Sequence, residues 1–116
     1  MGNVPKSLET LMEIEGAVVC ALVDSTSGMV LGKAGSGVDM DLAAAGNTEV
    51  VRAKMKTMKA LGLNDQIEDI LITLGKGYHI IRPIGTLFLY VVLNKSKANL
   101  ALARHAVTQV AEQLSV

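Results

Sequence analysis

The stretch from Asp39 to Leu61 has the length of one helix and carries two separate apolar stripes. With about 100° of rotation per residue, one stripe collects mostly small and aliphatic side chains: Leu42, Ala43, Gly46, Val50, Ala53, Ala60 and Leu61. The second stripe, roughly a third of a turn away, is rich in methionine: Met40, Ala44, Val51, Met55 and Met58. A surface helix of a monomer needs one apolar stripe, to cover its own core. The second stripe therefore needs a second neighbour, either in the same domain or in another chain.

The N-terminal part of the chain predicts a helix followed by a hairpin of two strands. Pro5 suits the first position of a helix and Gly16 supplies a stop, so the helix is expected over Pro5 to Ile14. Ala17 to Val23 is apolar at every position, which indicates a strand that is buried on both faces of a sheet. Turn residues follow at 24–28, and Met29 to Ala34 predicts the returning strand.

The C-terminal half predicts three further strands and a final helix. Gln66 to Leu74 alternates towards its end, and Tyr78 to Ile84 forms the next strand, with a proline near its end. Leu87 to Leu93 is again apolar throughout. Ser96 is expected to cap a last helix that ends near Leu114.

Burial and hairpin connections together predict the arrangement of these elements. The first and fifth strands have no polar face, so they should lie side by side in the middle of the sheet. Hairpins then place the other strands outside them, in the order 2-1-5-4-3. We therefore expect an α+β fold with a five-stranded antiparallel sheet and one domain over residues 1–116. The first and last helices should cover one face, and the middle helix should lie alone on the other.

This arrangement leaves the middle helix with one internal neighbour, the sheet. We expect its aliphatic stripe to face the sheet, through Leu42, Gly46, Val50, Ala53 and Leu61. The methionine stripe then faces a second subunit, because methionine side chains adapt well to contact surfaces. The reverse assignment stays open, since small residues also allow two helices to approach closely. In either assignment one apolar stripe stays exposed, which indicates assembly.

Composition excludes two classes of partner. Eleven basic and eleven acidic residues cancel, and one Phe, two Tyr and no Trp offer few platforms for stacking bases, so nucleic-acid binding is not expected. The longest apolar run, Ala17 to Val23, is far shorter than the roughly 18 to 20 residues that cross a bilayer. No signal-peptide pattern is visible, so we expect a cytoplasmic protein. Cys20, the single cysteine, lies in an apolar run and is expected to be buried.

No set of residues predicts catalysis, a metal site or a cofactor. His79 and His105 have no acidic residue at the spacing of a metal site or a catalytic dyad. The stretch from Gly28 to Ala34 resembles a phosphate loop only superficially, because its glycines are too close and Ala follows the lysine. Arg52, Arg82 and Arg104 are expected to be solvated surface residues rather than arginine fingers. We therefore predict a protein that is not an enzyme.

Two parts of the chain resemble the roadblock/dynein light-chain domain family, in particular its bacterial members. The first is the opening pattern Leu8-x-x-Leu11-x-x-Ile14-x-Gly16-Ala17-Val18, followed by Ala21–Asp24 and Gly28–Leu31. The second comprises the stretches Tyr78–Pro83, Leu87–Leu93 and Ala98–Arg104. The similarity covers nearly the whole chain and agrees with the predicted order of elements. It implies a profilin-like α+β fold.

The resemblance implies a non-catalytic platform that binds small Ras-like GTPases or belongs to motor and signalling assemblies. Some bacterial members regulate the GTPase that sets cell polarity and gliding motility. The resemblance also implies a homodimer, or a heterodimer, in which the middle helices pack together and the third strands, here Ile67–Leu74, pair across the subunits. Together with the methionine stripe, the predicted dimer interface is Met40, Ala44, Val51, Met55, Met58, Ile67, Asp69 and Leu71.

The alternative function is a small-molecule sensor on a similar scaffold. It requires a dry pocket with a few convergent polar groups, for which Tyr78, His79 and Arg82 are the candidates. Alternation along one strand places His79 on the opposite face from the other two, so convergence is not expected.

Overall fold

The computed structural model describes residues 2–116, which fold into three helices and five strands. In chain order these are α1 (Val4–Met12), β1 (Ala17–Asp24), β2 (Met29–Gly35), α2 (Met40–Ala60), β3 (Ile70–Thr73), β4 (Gly77–Ile84), β5 (Leu87–Asn94) and α3 (Leu100–Gln113). No helix among these residues is both long enough and apolar enough to cross a membrane.

The five strands form one antiparallel sheet in the order β2-β1-β5-β4-β3. The predicted order is confirmed, with the two fully apolar strands β1 and β5 adjacent in the centre. Six consecutive residues of β5, from Phe88 to Leu93, are buried, as a strand covered on both faces requires. The edges of the sheet are β2 and β3.

Alternate side chains of the central strands point into two separate apolar clusters. The first cluster contains the buried apolar residues of α1 and α3 together with sheet residues: Leu8, Leu11, Cys20, Leu22, Ile80, Leu89, Val91, Leu93, Ala103, Val107, Val110 and Ala111. The second contains the buried apolar residues of α2 with the alternate sheet residues: Val19, Ala21, Val23, Met40, Ala44, Val51, Ile81, Phe88, Tyr90 and Val92. Cys20 is buried, as predicted.

Helix α2 turns towards the sheet with the stripe that was expected to face a partner. Met40, Ala44 and Val51 are 2%, 0% and 1% exposed and pack in the second cluster, so their assignment to a subunit interface is wrong. Thr48 lies on the same buried face, and its hydroxyl donates to the Ala44 carbonyl oxygen at 2.7 Å. Because that bond satisfies the hydroxyl inside the helix, this polar side chain can belong to the core.

Strand β3 begins at Ile70, four residues later than predicted, and Pro83 accounts for the difference. In the β3–β4 register Ile70 faces Ile81, so continuing the ladder would place Glu68 opposite Pro83. Hydrogen-bonded pairs alternate in an antiparallel ladder, and Leu74 and Gly77 form such a pair. The Glu68–Pro83 pair would therefore also need a backbone N–H from residue 83, which proline lacks.

The caps of the two longer helices correct one sequence prediction. The Asp39 carboxylate accepts a hydrogen bond from the third residue of α2, and the Asn99 side chain does the same in α3. Ser96 is not the cap of α3, because its backbone N–H and hydroxyl both donate to the Asn94 side chain, at 3.0 and 2.7 Å. That local bonding keeps Ser96 in the turn before the helix.

Candidate functional site

The outward face of α2 carries an apolar strip that no other part of the described chain covers. We call it the outer stripe: Leu42, Gly46, Val50, Ala53 and Leu61, all exposed. Leu42 is 71% and Leu61 66% exposed. At Gly46 an added Cβ would meet no atom within 4 Å, so the helix backbone is open to close approach there. The outer stripe is thus shaped for contact with another helix.

The free edge of β3 offers unpaired backbone groups. Since hydrogen-bonded pairs alternate along the ladder, and Leu74 N–H donates to the Gly77 carbonyl at 2.8 Å, the Ile72 and Ile70 positions bond to β4. The N–H and C=O groups of Leu71 and Thr73 consequently point away from β4. Such an edge is a template for another strand.

The segment just before β3, residues 64–69, extends this edge without a strand partner of its own. We call it the entry segment. Among the described residues its backbone N–H groups make one hydrogen bond, a local one from Gln66 to the Asp65 carboxylate at 2.8 Å. Most of its side chains are exposed. Backbone polar groups left in this state are satisfied by water or by another chain.

A cleft joins the outer stripe to the entry segment. Its volume is about 630 Å³, and its walls include Val50 and Lys54 of α2 facing Leu63, Ile67 and Ile70. A second cleft of about 430 Å³ lies beside it and is lined by Met55, Met58 and Pro83, among others. The exposed surface of α2 and the strand edge are therefore parts of one continuous surface.

An ion pair fastens the end of the entry segment to α3. Arg104 donates from Nε to Asp69 Oδ2 at 2.9 Å and from Nη2 to Asp69 Oδ1 at 2.7 Å. The Asp69 carboxylate raises the pKa of Arg104 above its ordinary value through these hydrogen bonds and its charge. This is the one ion pair within residues 2–116. The pair links two elements that are 35 residues apart in the chain.

The remaining predicted interface residues have mixed positions. Met55 is 41% exposed and Met58 is half-buried, and both line the clefts. Ile67 is half-buried against the same clefts, whereas Asp69 turns towards α3. Leu71 packs its side chain against the first cluster, so only its backbone belongs to the free edge. The assignment of these residues to a subunit interface stays a prediction.

Sequence reasoning missed the role of Arg104. Its place on the polar arc of α3 suggested an ordinary solvated side chain, and that arc also holds Thr108 and Glu112. An ion pair between residues so distant in the chain leaves no pattern in the sequence around either of them. Predicting it would have required the position of Asp69 relative to α3, which depends on the strand register.

Tyr78, His79 and Arg82 do not converge on a pocket. His79 points towards α2, where its Nδ1 lies 2.9 Å from the Tyr90 hydroxyl in a hydrogen bond. Tyr78 packs against the first cluster, on the other face of the sheet, with the Lys95 ammonium 5.7 Å from its ring centre. The sensor hypothesis therefore lacks its polar site.

Cys20, the single cysteine, is buried and free. Burial raises the pKa of the Cys20 thiol to about 11, so the thiolate that reacts or binds metal is disfavoured. Within residues 2–116 no three His, Cys, Asp or Glu side chains lie close enough to hold a metal ion.

Comparisons with known proteins bear on the fold. No protein-family model and no curated protein matches the sequence. Among solved structures, MglB of Myxococcus xanthus is similar with a TM-score of 0.83 at 20% identity, covering 96% of this chain and 93% of that one. A roadblock/LC7 domain from Streptomyces avermitilis has a TM-score of 0.81 at 14% identity, with 92% and 90% covered.

A third structure, the gliding protein MglB of Thermus thermophilus, has a TM-score of 0.72 at 20% identity and covers 94% of this chain and 88% of that one. The three similarities span nearly the whole chain and agree with the observed strand order. The chain therefore has the fold of a roadblock/LC7 domain.

Proposed function

We propose that this chain is a dimeric, non-catalytic interaction module that binds a small Ras-like GTPase and modulates it. The observation that carries the proposal is the exposed outer stripe of α2 lying beside the unpaired edge of β3. Both features present groups that a monomer leaves unsatisfied, one apolar and one hydrogen-bonding.

A twofold axis beside β3 would satisfy both features at once. It would pair β3 with its copy in antiparallel fashion, and it would pack the outer stripes of the two α2 helices against each other. Gly46 and Ala53 would let the two helix backbones approach closely. Stable interfaces of this kind bury about 1,600 Å² in total. A heterodimer with a second chain of the same fold uses the same surfaces.

The GTPase partner is supported by kinship. The sequence resembles roadblock domains, which implies a small Ras-like GTPase or a motor or signalling assembly as partner. Two of the similar structures are MglB proteins, and one of them is named a gliding protein. The chain itself contributes a surface rather than a reactive group in this proposal, and we expect it to act in the cytoplasm.

The partner is tested by capture from the native lysate on immobilised chain, with GDP or a non-hydrolysable GTP analogue added. We expect mass spectrometry to identify one GTP-binding protein that is enriched in one nucleotide state. A Leu42→Asp variant places a charge in the outer stripe and should break the proposed dimer. Because we propose that the dimer binds the GTPase, this variant should lose that protein. Leu102→Asp should retain it, because Leu102 is similarly exposed, at 68%, but lies on α3. Absence of any GTP-binding protein in both nucleotide states would contradict the proposed partner.

A further inference from the structure

The ion pair between Arg104 and Asp69 holds the entry segment at its junction with β3. Asp69 is the last residue before the strand, and its side chain is only 15% exposed, whereas that of Arg104 is 45% exposed. The two parallel hydrogen bonds fix the orientation of the carboxylate as well as its distance. The backbone at Asp69 is thereby held against α3, on the face of the sheet opposite α2.

A second arginine lies next to this junction. In the β3–β4 register Ile70 faces Ile81, so Asp69 is the next residue along and Arg82 is its counterpart. Among the described residues no acceptor lies within hydrogen-bond distance of the buried Arg82 Nε. Asp69 therefore bonds to the helix rather than across the strands.

We propose that Arg104 is a positioning residue for assembly: by fixing Asp69, it presents the edge of β3 in the orientation that a second copy of this chain can pair with. The inference rests on the proposed dimer. Arg104 itself lies on α3 and need not touch the partner. Its effect on the interface passes through Asp69 and the strand that follows.

The role of the pair gives it a measurable signature. In an unanchored chain the entry segment samples many conformations, and the dimer must order it on association. Removing the anchor therefore weakens the dimer even though no contact between subunits is deleted. For a partly exposed pair we expect the dissociation constant of the dimer to rise by about three- to ten-fold. Arg104→Lys keeps the charge but loses the bidentate geometry, so it should fall between the wild type and Arg104→Gln.

The test compares the wild type with Arg104→Gln, Arg104→Lys, Asp69→Asn and the double variant Arg104→Gln/Asp69→Asn. Lys97→Gln, which removes one positive charge elsewhere, is the control. Two quantities are measured for each protein: the dimer dissociation constant by sedimentation, and the amide hydrogen exchange of β3 in dilute, monomeric samples. We expect both quantities to rise in Arg104→Gln. We also expect the double variant to be no weaker than the weaker single variant, since the two residues act through one contact.

The outcomes separate this inference from the proposed dimer. Unchanged exchange in β3 would show that Arg104 does not position the strand, which overturns the inference while leaving the dimer standing. Faster exchange with an unchanged dissociation constant would overturn the link between the anchor and assembly. A wild-type chain that stays monomeric at high concentration would instead overturn the dimer itself. An equal rise in the dissociation constant for Lys97→Gln would show that the effect comes from net charge, and it would overturn the positioning role of Arg104.

Discussion

At the scale of single residues, the space between α2 and the sheet contains polar groups that near neighbours satisfy. Thr48 donates to the helix backbone, and the Tyr90 hydroxyl bonds to His79 at 2.9 Å, with the two rings edge to face. Burial raises the pKa of Tyr90 above its ordinary value, and it lowers the pKa of His79. The charged forms of both side chains are disfavoured here because burial removes part of their contact with water.

The lowered pKa of His79 predicts a loss of stability in acid. The ordinary pKa is 6.5, and the native value lies below it, so the unfolded chain binds this proton more readily. The contribution of neutral His79 is fully present above pH 6.5 and declines as the pH falls from 6.5 through the lower native pKa. In chemical denaturation from neutral to acidic pH, His79→Gln should therefore lose less stability than the wild type.

The substitution His105→Gln supplies the control, because His105 is exposed on α3. It should follow the wild-type profile, since its ring is not enclosed by the sheet and α2. If the pH profiles of His79→Gln and the wild type run parallel, burial of His79 does not control acid stability.

Residue identity alone could not decide which stripe of α2 is buried. Both stripes are apolar, and the buried face includes Thr48, which an apolar pattern omits. The large side chains of Phe88 and Tyr90 and the small side chain of Ala44 belong to the same buried cluster. Which helix face fits the sheet surface is decided by side-chain packing once the strands lie side by side.

At the scale of elements, fully apolar runs were the most dependable signal. The predicted strands Ala17–Val23 and Leu87–Leu93 agree with β1 and β5 to within one residue at each end. The length of the edge strand β3 depends instead on its neighbour β4, because Pro83 lacks the backbone N–H that a longer ladder would need. A non-local constraint of this kind is absent from the periodicity of residues 66–74.

Replacing this proline is expected to lengthen β3. In Pro83→Val the backbone N–H of residue 83 can donate to the Glu68 carbonyl, which the register places opposite. We predict slow hydrogen exchange for the new amide at position 83, and strand chemical shifts for residues 68 and 69. The amide of Thr86, in the exposed β4–β5 turn, serves as an internal reference. An amide at position 83 that exchanges as fast as that reference would contradict the account of the short strand.

At the scale of the whole molecule, the two edges of the sheet differ. Edge strand β2 has a bulge where the register shifts opposite Leu22 and Val23, and it carries Lys33, both features that discourage further pairing. Edge strand β3 has a regular four-residue register and continues into the unpaired entry segment. The difference favours a closed pair of subunits over an open chain of them.

The strand order could be derived from the sequence because it followed from the burial of two strands. The candidate interaction surface could be derived only in part. A second stripe on α2 indicated assembly, but the identity of the exposed stripe and the anchoring of Asp69 by Arg104 depend on side-chain packing between distant elements.

The central claim is that the outer stripe of α2 joins two copies of the chain. Sedimentation equilibrium of the wild type, Leu42→Asp and Leu102→Asp tests it most directly. The two leucines are 71% and 68% exposed, and each is the third residue of its helix, with its N–H capped by the preceding side chain of Asp39 or Asn99. The two substitutions therefore cost the monomer about the same.

We predict twice the mass of one chain for the wild type and for Leu102→Asp, and the mass of a single chain for Leu42→Asp at the same micromolar concentration. A wild type that sediments as a monomer, or a Leu42→Asp dimer as stable as that of Leu102→Asp, would contradict the account.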